Sequence, residues 1–244
     1  MIKKTILLKL FPLAFGLLLC GTVSAQNSWE KPADKWNLDD CMKIINKSPW
    51  SFNYSEVGVE MDSKALNEKM TFGSVSPVII VRLYSADIVR RALVRINQIG
   101  QKYDSLGASE KAKIDERNKP ILDCELCKKY YIMVVLQPAS SNASATLIGR
   151  RFRNVKFEDI KESIYLTNDK KEKRELVQYV APQTDTGVAI FYFDRLGKDG
   201  KPLVTDDTKK LKPIFNINSI SKFFLGGNVE FDVSKMKIDQ KVDF

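Results

Sequence analysis

Short apolar runs separated by turn residues recur through the last third of this chain. The runs cover 163–168, 174–181, 187–195, 211–217, 222–234 and 236–244. GKDG (197–200) lies between two of these runs and GGN (226–228) lies within the run 222–234, and their glycines and asparagine suit the tight turns of hairpins. Short strands at this spacing are typical of antiparallel sheets. The pattern predicts an antiparallel meander or sandwich for this part.

The residues before this region alternate between helical and strand patterns. Asn37 is a suitable N-cap for a short helix that ends before Pro49. The run SPVIIVRLYS (76–85) predicts a buried strand, and Ser85 is expected to cap the helix that follows. A polar helical stretch leads on to a second strand, KYYIMVVLQ (129–137). Two strands separated by helices can lie parallel through a right-handed crossover, which predicts a small α/β unit.

These patterns predict an α+β fold, with N-terminal helices and a small α/β unit followed by a mostly antiparallel β-sheet or sandwich. We expect a cleaved signal peptide (1–25), an N-terminal α/β part (26–140) and a C-terminal antiparallel part (141–244), the last two packed as one domain. Removing 25 of 244 residues leaves 219, which is enough for a sizeable core.

The first 25 residues have the features of a secretory signal peptide. Lys3 and Lys4 form a positive n-region, an apolar run covers 6–19, and Val-Ser-Ala (23–25) is a suitable cleavage site. The apolar run is short for a membrane span. We therefore expect an exported protein, periplasmic or extracellular, that begins at Gln26 and has no transmembrane segment.

Lipid attachment and nucleic-acid binding are both disfavoured. Cys20 is preceded by the large side chain of Leu19, whereas lipoprotein processing requires a small residue there. The leader contains three of the 39 basic residues, so the mature chain has 36 basic against 30 acidic residues, a net charge of +6. This excess is modest, and a nucleic-acid surface requires basic residues concentrated on one face.

The chain contains no histidine. Histidine is the usual general base at neutral pH and the commonest metal ligand. Its absence excludes Ser-His-Asp and Cys-His catalysis, zinc sites that use histidine, and histidine-ligated haem. We therefore expect a non-enzymatic protein without a cofactor. The enzymatic alternative is a histidine-free hydrolase, which would have a deep cleft lined by two carboxylates with shifted pKa values.

Cys124 and Cys127 form a Cys-x-x-Cys motif directly before a predicted strand. In an exported chain such a pair is expected to form a structural disulfide. Thioredoxin-like sites place the motif after a strand instead, and here Asp123 and Glu125 would raise the thiol pKa. A metal site would need further ligands that the sequence does not supply. Thiol–disulfide exchange remains the alternative function. Cys41 is predicted to be a buried free thiol, and the alternative for it is a disulfide with another chain.

Two groups of arginines form a candidate surface for an anionic ligand or an acidic protein or envelope partner. They are Arg90, Arg91, Arg95, Arg150, Arg151 and Arg153. On the helical pattern the first three point away from the apolar face. Arg82 would join them if its side chain faces the same way. The alternative interpretation is that each group is ordinary solvated surface.

Several stretches resemble a family of uncharacterised exported bacterial proteins. They are WNLDDCMKIINKSPW (36–50), VRLYSA (81–86), RRALVR (90–95), KYYIMVVLQP (129–138) and a closing Phe-x-Val…Met pattern (231–236). The resemblance implies a complete exported module and brings no known activity or catalytic residue. Our sequence-based hypothesis is an exported binding, scaffolding or envelope-associated module that uses the arginine-bearing helix or an exposed strand of the C-terminal sheet.

Overall fold

The structure is a computed structural model that describes residues 27–53, 79–136, 152–184, 187–216 and 229–244. The predicted signal peptide and the turn at 226–228 lie outside these ranges. The α-helices are α1 (Leu38–Lys47), α2 (Asp87–Gly100), α3 (Ala108–Asp123), α4 (Glu125–Lys129) and α5 (Phe157–Ile160). The strands are β1 (Ser51–Asn53), β2 (Ile80–Leu83), β3 (Tyr130–Leu136), β4 (Ile164–Asn168), β5 (Lys173–Val180), β6 (Ala189–Asp194), β7 (Lys210–Phe215), β8 (Phe231–Asp232), β9 (Lys237–Ile238) and β10 (Lys241–Val242).

Eight of these strands form one sheet in the order β1-β2-β3-β6-β5-β4-β7-β8. Every neighbouring pair in it is antiparallel. The sheet curves so strongly that its edge strands β1 and β8 line the same surface opening. The predicted α+β class, with a mostly antiparallel sheet, is confirmed.

The parallel arrangement predicted for strands 76–85 and 129–137 is wrong. β2 and β3 are antiparallel, with Val81 opposite Val135. The connection between them contains two long helices, α2 with 14 residues and α3 with 16, and Leu93 of α2 faces the same groove as Pro120 of α3. A single crossover helix carries the chain back along the sheet, so that the next strand begins at the same end as the previous one. Two antiparallel helices instead return the chain to the end of the sheet where β2 finished. The next strand therefore runs the opposite way.

The turn at 197–200 forms as predicted. Gly197 N donates to Lys201 O at 2.8 Å, Leu196 bridges to Pro202, and Gly200 has a φ of +74° that favours glycine. The strands on either side of the turn are not neighbours, however, because β7 pairs with β4 and β8 while β6 pairs with β3 and β5. The turn closes a local hairpin, and the chain then crosses to the far half of the sheet.

The core lies on the concave side of the sheet and includes buried side chains of α1 and α2. Side chains alternate along each strand, so that Phe191 and Phe193 of β6 point into the core together with Met133 of β3. α1 begins where predicted, since Asn37 Oδ1 accepts from Asp40 N at 2.9 Å. Cys41 is a buried free thiol, as predicted, and burial raises its pKa to about 11.

Helix α2 begins one residue later than predicted. Its N-cap is Ala86, and the hydroxyl of the buried Ser85 has no hydrogen-bond partner among the described residues. The first backbone N–H groups of the helix, those of Asp87 and Ile88, instead donate to Asp243 at 3.0 and 2.9 Å. A carboxylate more than 150 residues away in sequence therefore replaces the local serine cap, because the C-terminal segment packs against this end of the helix.

Asp40 joins the N-terminal segment to α1, which makes the stability of this contact dependent on pH. Its carboxylate accepts from Lys31 Nζ at 2.7 Å and from Ser28 Oγ at 2.8 Å. These bonds, led by the one from Lys31, lower the pKa of Asp40 below 3.8. A lowered carboxyl pKa contributes stability above the unfolded value, and this contribution is lost as the pH falls through the folded value.

We therefore expect Asp40→Asn to reduce the melting temperature at pH 7 and to have a progressively smaller effect below pH 4. The measurement is thermal unfolding of both proteins between pH 7 and pH 2. Other carboxylates titrate in both proteins and cancel in the comparison. A difference that stays constant down to pH 2 would contradict this role for Asp40.

Candidate functional site

The convex face of the sheet has a groove of about 680 Å³ across β2, β3 and β6, which we call the outer groove. Its floor consists of the side chains that alternate with those of the core. Arg82 lies opposite Val134, and Val134 lies opposite Ile190, so these three form one row across the strands. Ile132 and Tyr192 form the next row. The volume is within the range of small-molecule binding sites.

The walls of the outer groove come from the helices. Leu93 of α2, Pro120 near the end of α3 and Leu126 of α4 line it. Leu126 is 50% exposed, and Val188 at the opposite wall is 40% exposed. These are two of the most exposed large apolar side chains in the described ranges. The groove therefore presents an apolar surface to solvent.

Arg82 is the one basic residue among the described residues that line the outer groove. It is 8% exposed, and it donates from Nε to Ile45 O at 2.7 Å and from Nη2 to Asn46 Oδ1 at 3.0 Å. Among the described residues no carboxylate lies in ion-pair contact with it, and Nη1 has no acceptor. Burial lowers the pKa of Arg82 to about 10, so the side chain is still charged at neutral pH.

Two carboxylates lie at the rim of the groove, and both are paired with lysines. Asp123 lies 2.6 Å from Lys119 Nζ, which lowers the pKa of the aspartate, and Glu125 lies 2.5 Å from Lys128 Nζ. Both acidic side chains are more than half exposed. The hydrolase alternative would place two carboxylates inside a deep cleft, whereas these two are exposed and paired with lysines.

The cysteine motif forms the end wall of the groove. Cys124 and Cys127 are joined in a disulfide with their Cα atoms 5.2 Å apart, and Cys124 lines the groove while Cys127 is buried. Cys127 N also donates to Cys124 Sγ at 3.2 Å. The predicted disulfide is present, directly after α3 and before β3. Whether it serves as a staple or in exchange stays a prediction.

Four of the six arginines predicted as an anionic-partner surface lie among the described residues, and two of these are buried. Arg90 and Arg95 are each 7% exposed, and Arg91 is the exposed arginine of the helix. Arg90 donates to Ser85 O, and Arg95 donates to Trp36 O at 3.1 Å and through both Nη atoms to Asp104. Arg153 is exposed near α5, and Arg150 and Arg151 lie outside the described residues.

The expectation that Arg90 and Arg95 point into solvent is corrected by this burial. Helical spacing places them off the main apolar stripe of α2, but neighbouring segments cover that side of the helix as well. The backbone of Trp36 reaches Arg95 from one side, and Asp104 reaches it from the loop after α2. Contacts of this kind depend on tertiary packing and cannot be seen in the periodicity of one helix.

Arg91 and Arg95 of α2 are expected to differ in their effect on stability. Arg95→Ala should lower the free energy of unfolding by about 2 kcal/mol, because it removes charged hydrogen bonds in a buried position. Arg91→Ala should change it by less than about 0.5 kcal/mol, because its pair with Asp87 is exposed. Urea denaturation of both variants measures the difference, and equal effects would contradict the assigned burial.

The outer groove is not among the features predicted from the sequence, although the sequence contains a pattern that indicates it. The segments 79–83 and 130–136 are apolar on both strand faces, which indicates that both faces of the sheet are covered. Arg82 is a single charged residue inside one of these segments. A charged residue within a strand that is apolar on both faces indicates either a buried ion pair or a binding site. The register of β2 with β3 places Arg82 in the groove.

No protein-family model matches the chain, and the searches of curated proteins and of solved structures produced no match either. Within the described ranges, no helix is both long and apolar enough to cross a bilayer. The same ranges contain no cluster of three or more cysteine or acidic residues placed to hold a metal ion. The function is therefore inferred from the outer groove itself.

Proposed function

We propose that this chain is an exported, non-enzymatic binding protein that holds an apolar small molecule in the outer groove. The observation that supports the proposal is the groove of about 680 Å³, whose floor and walls are largely aliphatic and aromatic. Sites for small molecules are typically concave, mostly apolar and furnished with few polar groups. An apolar ligand would remove Leu126 and Val188 from water.

Export is supported by two features. The leader has the pattern of a secretory signal, and the disulfide between Cys124 and Cys127 is compatible with an oxidising compartment. Apolar molecules have low solubility in such compartments, and a protein that shields them from water would carry or retain them. The role therefore requires a groove and no catalytic residues.

The test uses N-phenyl-1-naphthylamine, an uncharged apolar dye whose fluorescence rises when it leaves water. We expect the protein that lacks residues 1–25 to bind it, and we expect Leu126→Trp and Val188→Trp to weaken binding at least about tenfold, equivalent to about 1.4 kcal/mol. The larger side chains would occupy the volume at the rim. Fluorescence titration gives the dissociation constants.

Each variant has a matched control elsewhere on the surface. Leu196 is 57% exposed and Val177 is 38% exposed, and neither lines the outer groove. Leu196→Trp and Val177→Trp should therefore bind the dye like the unsubstituted protein. Equal affinity in all four variants would place the dye elsewhere and refute the proposed site.

Thiol–disulfide exchange is the second candidate function. It is favoured by the position of Cys124, which is partly exposed and lines the groove where a substrate would lie. A substrate dithiol would be oxidised to a disulfide while the bond between Cys124 and Cys127 is reduced to two thiols. A reduction potential below roughly −300 mV would assign the bond as a structural staple, and a more oxidising value would favour exchange.

A further inference from the structure

We propose that the ligand of the outer groove is an amphipathic carboxylate, a long apolar chain with one anionic end, and that Arg82 binds the carboxylate. This inference rests on the proposed function and specifies its ligand. It depends on the contrast between one buried cation and the apolar surface around it.

Arg82 is charged and buried, and no acidic residue in the described ranges pairs with it. Its Nε and Nη2 atoms donate to neutral oxygens, those of Ile45 and Asn46, so its positive charge is solvated by dipoles alone within the described part of the chain. A buried charge is costly unless it is paired. An incoming carboxylate would offset that cost, because charge-assisted hydrogen bonds are short and strong in apolar surroundings. Nη1, which has no acceptor among the described residues, supplies the donor.

The rest of the floor fits the chain of such a ligand. Val134 and Ile190 continue the row that starts at Arg82, and neighbouring strands lie about 4.8 Å apart, so the row extends about 10 Å from β2 to β6. Ile132 and Tyr192 widen this apolar strip. A chain that starts at Arg82 would therefore lie across the strands, towards the exposed Val188 at the far wall.

The rim carboxylates do not oppose this arrangement. Asp123 and Glu125 are each held by a lysine on the same helix, at 2.6 and 2.5 Å. Both are also exposed, so water and salt screen their charge. Among the described residues, the charge that lies inside the groove is therefore that of Arg82. This polarity favours an anion over a cation of the same length.

The test compares three competitors, each with a ten-carbon chain, for displacement of the bound N-phenyl-1-naphthylamine at pH 7. They are decanoate, decan-1-ol and decyltrimethylammonium, which share a chain and differ in head group. We expect decanoate to bind at least about tenfold more tightly than the alcohol and to exceed the cation by more. Arg82→Met should remove this preference, and the matched variant Arg91→Met, at an exposed position on α2, should keep it.

Arg82 also tethers β2 to the end of α1, so Arg82→Met is first checked for folding by circular dichroism. If that variant does not fold, the ranking of the three competitors on the unsubstituted protein decides the question alone. Equal binding of decanoate and decan-1-ol, or preference for the cation, would overturn this inference and leave the groove as a site for neutral apolar molecules. Absence of dye binding would overturn the proposed function together with this inference. A dimer that dissociates on Val188→Trp would assign the groove to a second copy of the chain and would also overturn it.

Discussion

Phe191→Ala is expected to lower the free energy of unfolding by about 4 kcal/mol. Phe191 is fully buried at the middle of β6, and its ring centroid lies 5.1 Å from that of Tyr179, 5.6 Å from that of Phe215 and 5.8 Å from that of Phe152. These rings come from three other segments of the chain, so truncation leaves a cavity that no single segment can fill. Urea denaturation measures the loss.

Val188→Ala is the control on the other face of the same segment. Val188 is 40% exposed at the outer groove, so its truncation should cost less than about 1 kcal/mol. A comparable loss in both variants would mean that the two faces of β6 are not distinct. That result would contradict the assignment of one face to the core and the other to the outer groove.

Asp243→Ala is expected to lower the free energy of unfolding by about 3 kcal/mol. The substitution leaves the N–H groups of Asp87 and Ile88 without their acceptor at the start of α2, in a partly buried position. Burial raises the pKa of Asp243 although these donors act in the opposite direction. Because a neutral amide oxygen can still accept one of the two bonds, we expect Asp243→Asn to cost less than the alanine variant.

Asp206→Ala provides the control for the cap, since Asp206 is exposed and should contribute less than about 0.5 kcal/mol. Loss of the cap should also weaken dye binding, because α2 supplies Leu93 to the wall of the outer groove. Thermal unfolding and dye titration on the same samples measure both effects. Equal stability of the two variants would contradict a capping role for Asp243.

Elements that depend on local chemistry could be predicted from the sequence. The N-cap at Asn37, the strand that became β3 and the turn that contains Gly200 need only neighbours within a few residues. The disulfide belongs to the same group, because three residues separate its cysteines and their geometry is set by one short helix. For such elements the energy that selects the structure lies within the segment itself.

The position of Arg82 shows what the sequence left open. Its charge and its place in an apolar strand can be read directly, but the groove around it is formed by strands and helices that are far apart in the chain. The same is true of the cap on α2, for which the sequence suggested the adjacent Ser85 while the folded chain uses Asp243. Local patterns could indicate that α2 begins at this point. They could not indicate which side chain accepts the hydrogen bonds of its first N–H groups.

The sequence by itself determined the α+β class, the positions of most described elements and the pairing of the two adjacent cysteines. Periodicity, turn residues and short separations select these features, and each acts over a few residues. Only the tertiary structure decided the antiparallel pairing of β2 with β3, the crossing from β6 to β7 and the apolar groove on the convex face. Strand order and concave surfaces arise from burying several faces at once, and that free energy belongs to the assembled chain and not to any one segment.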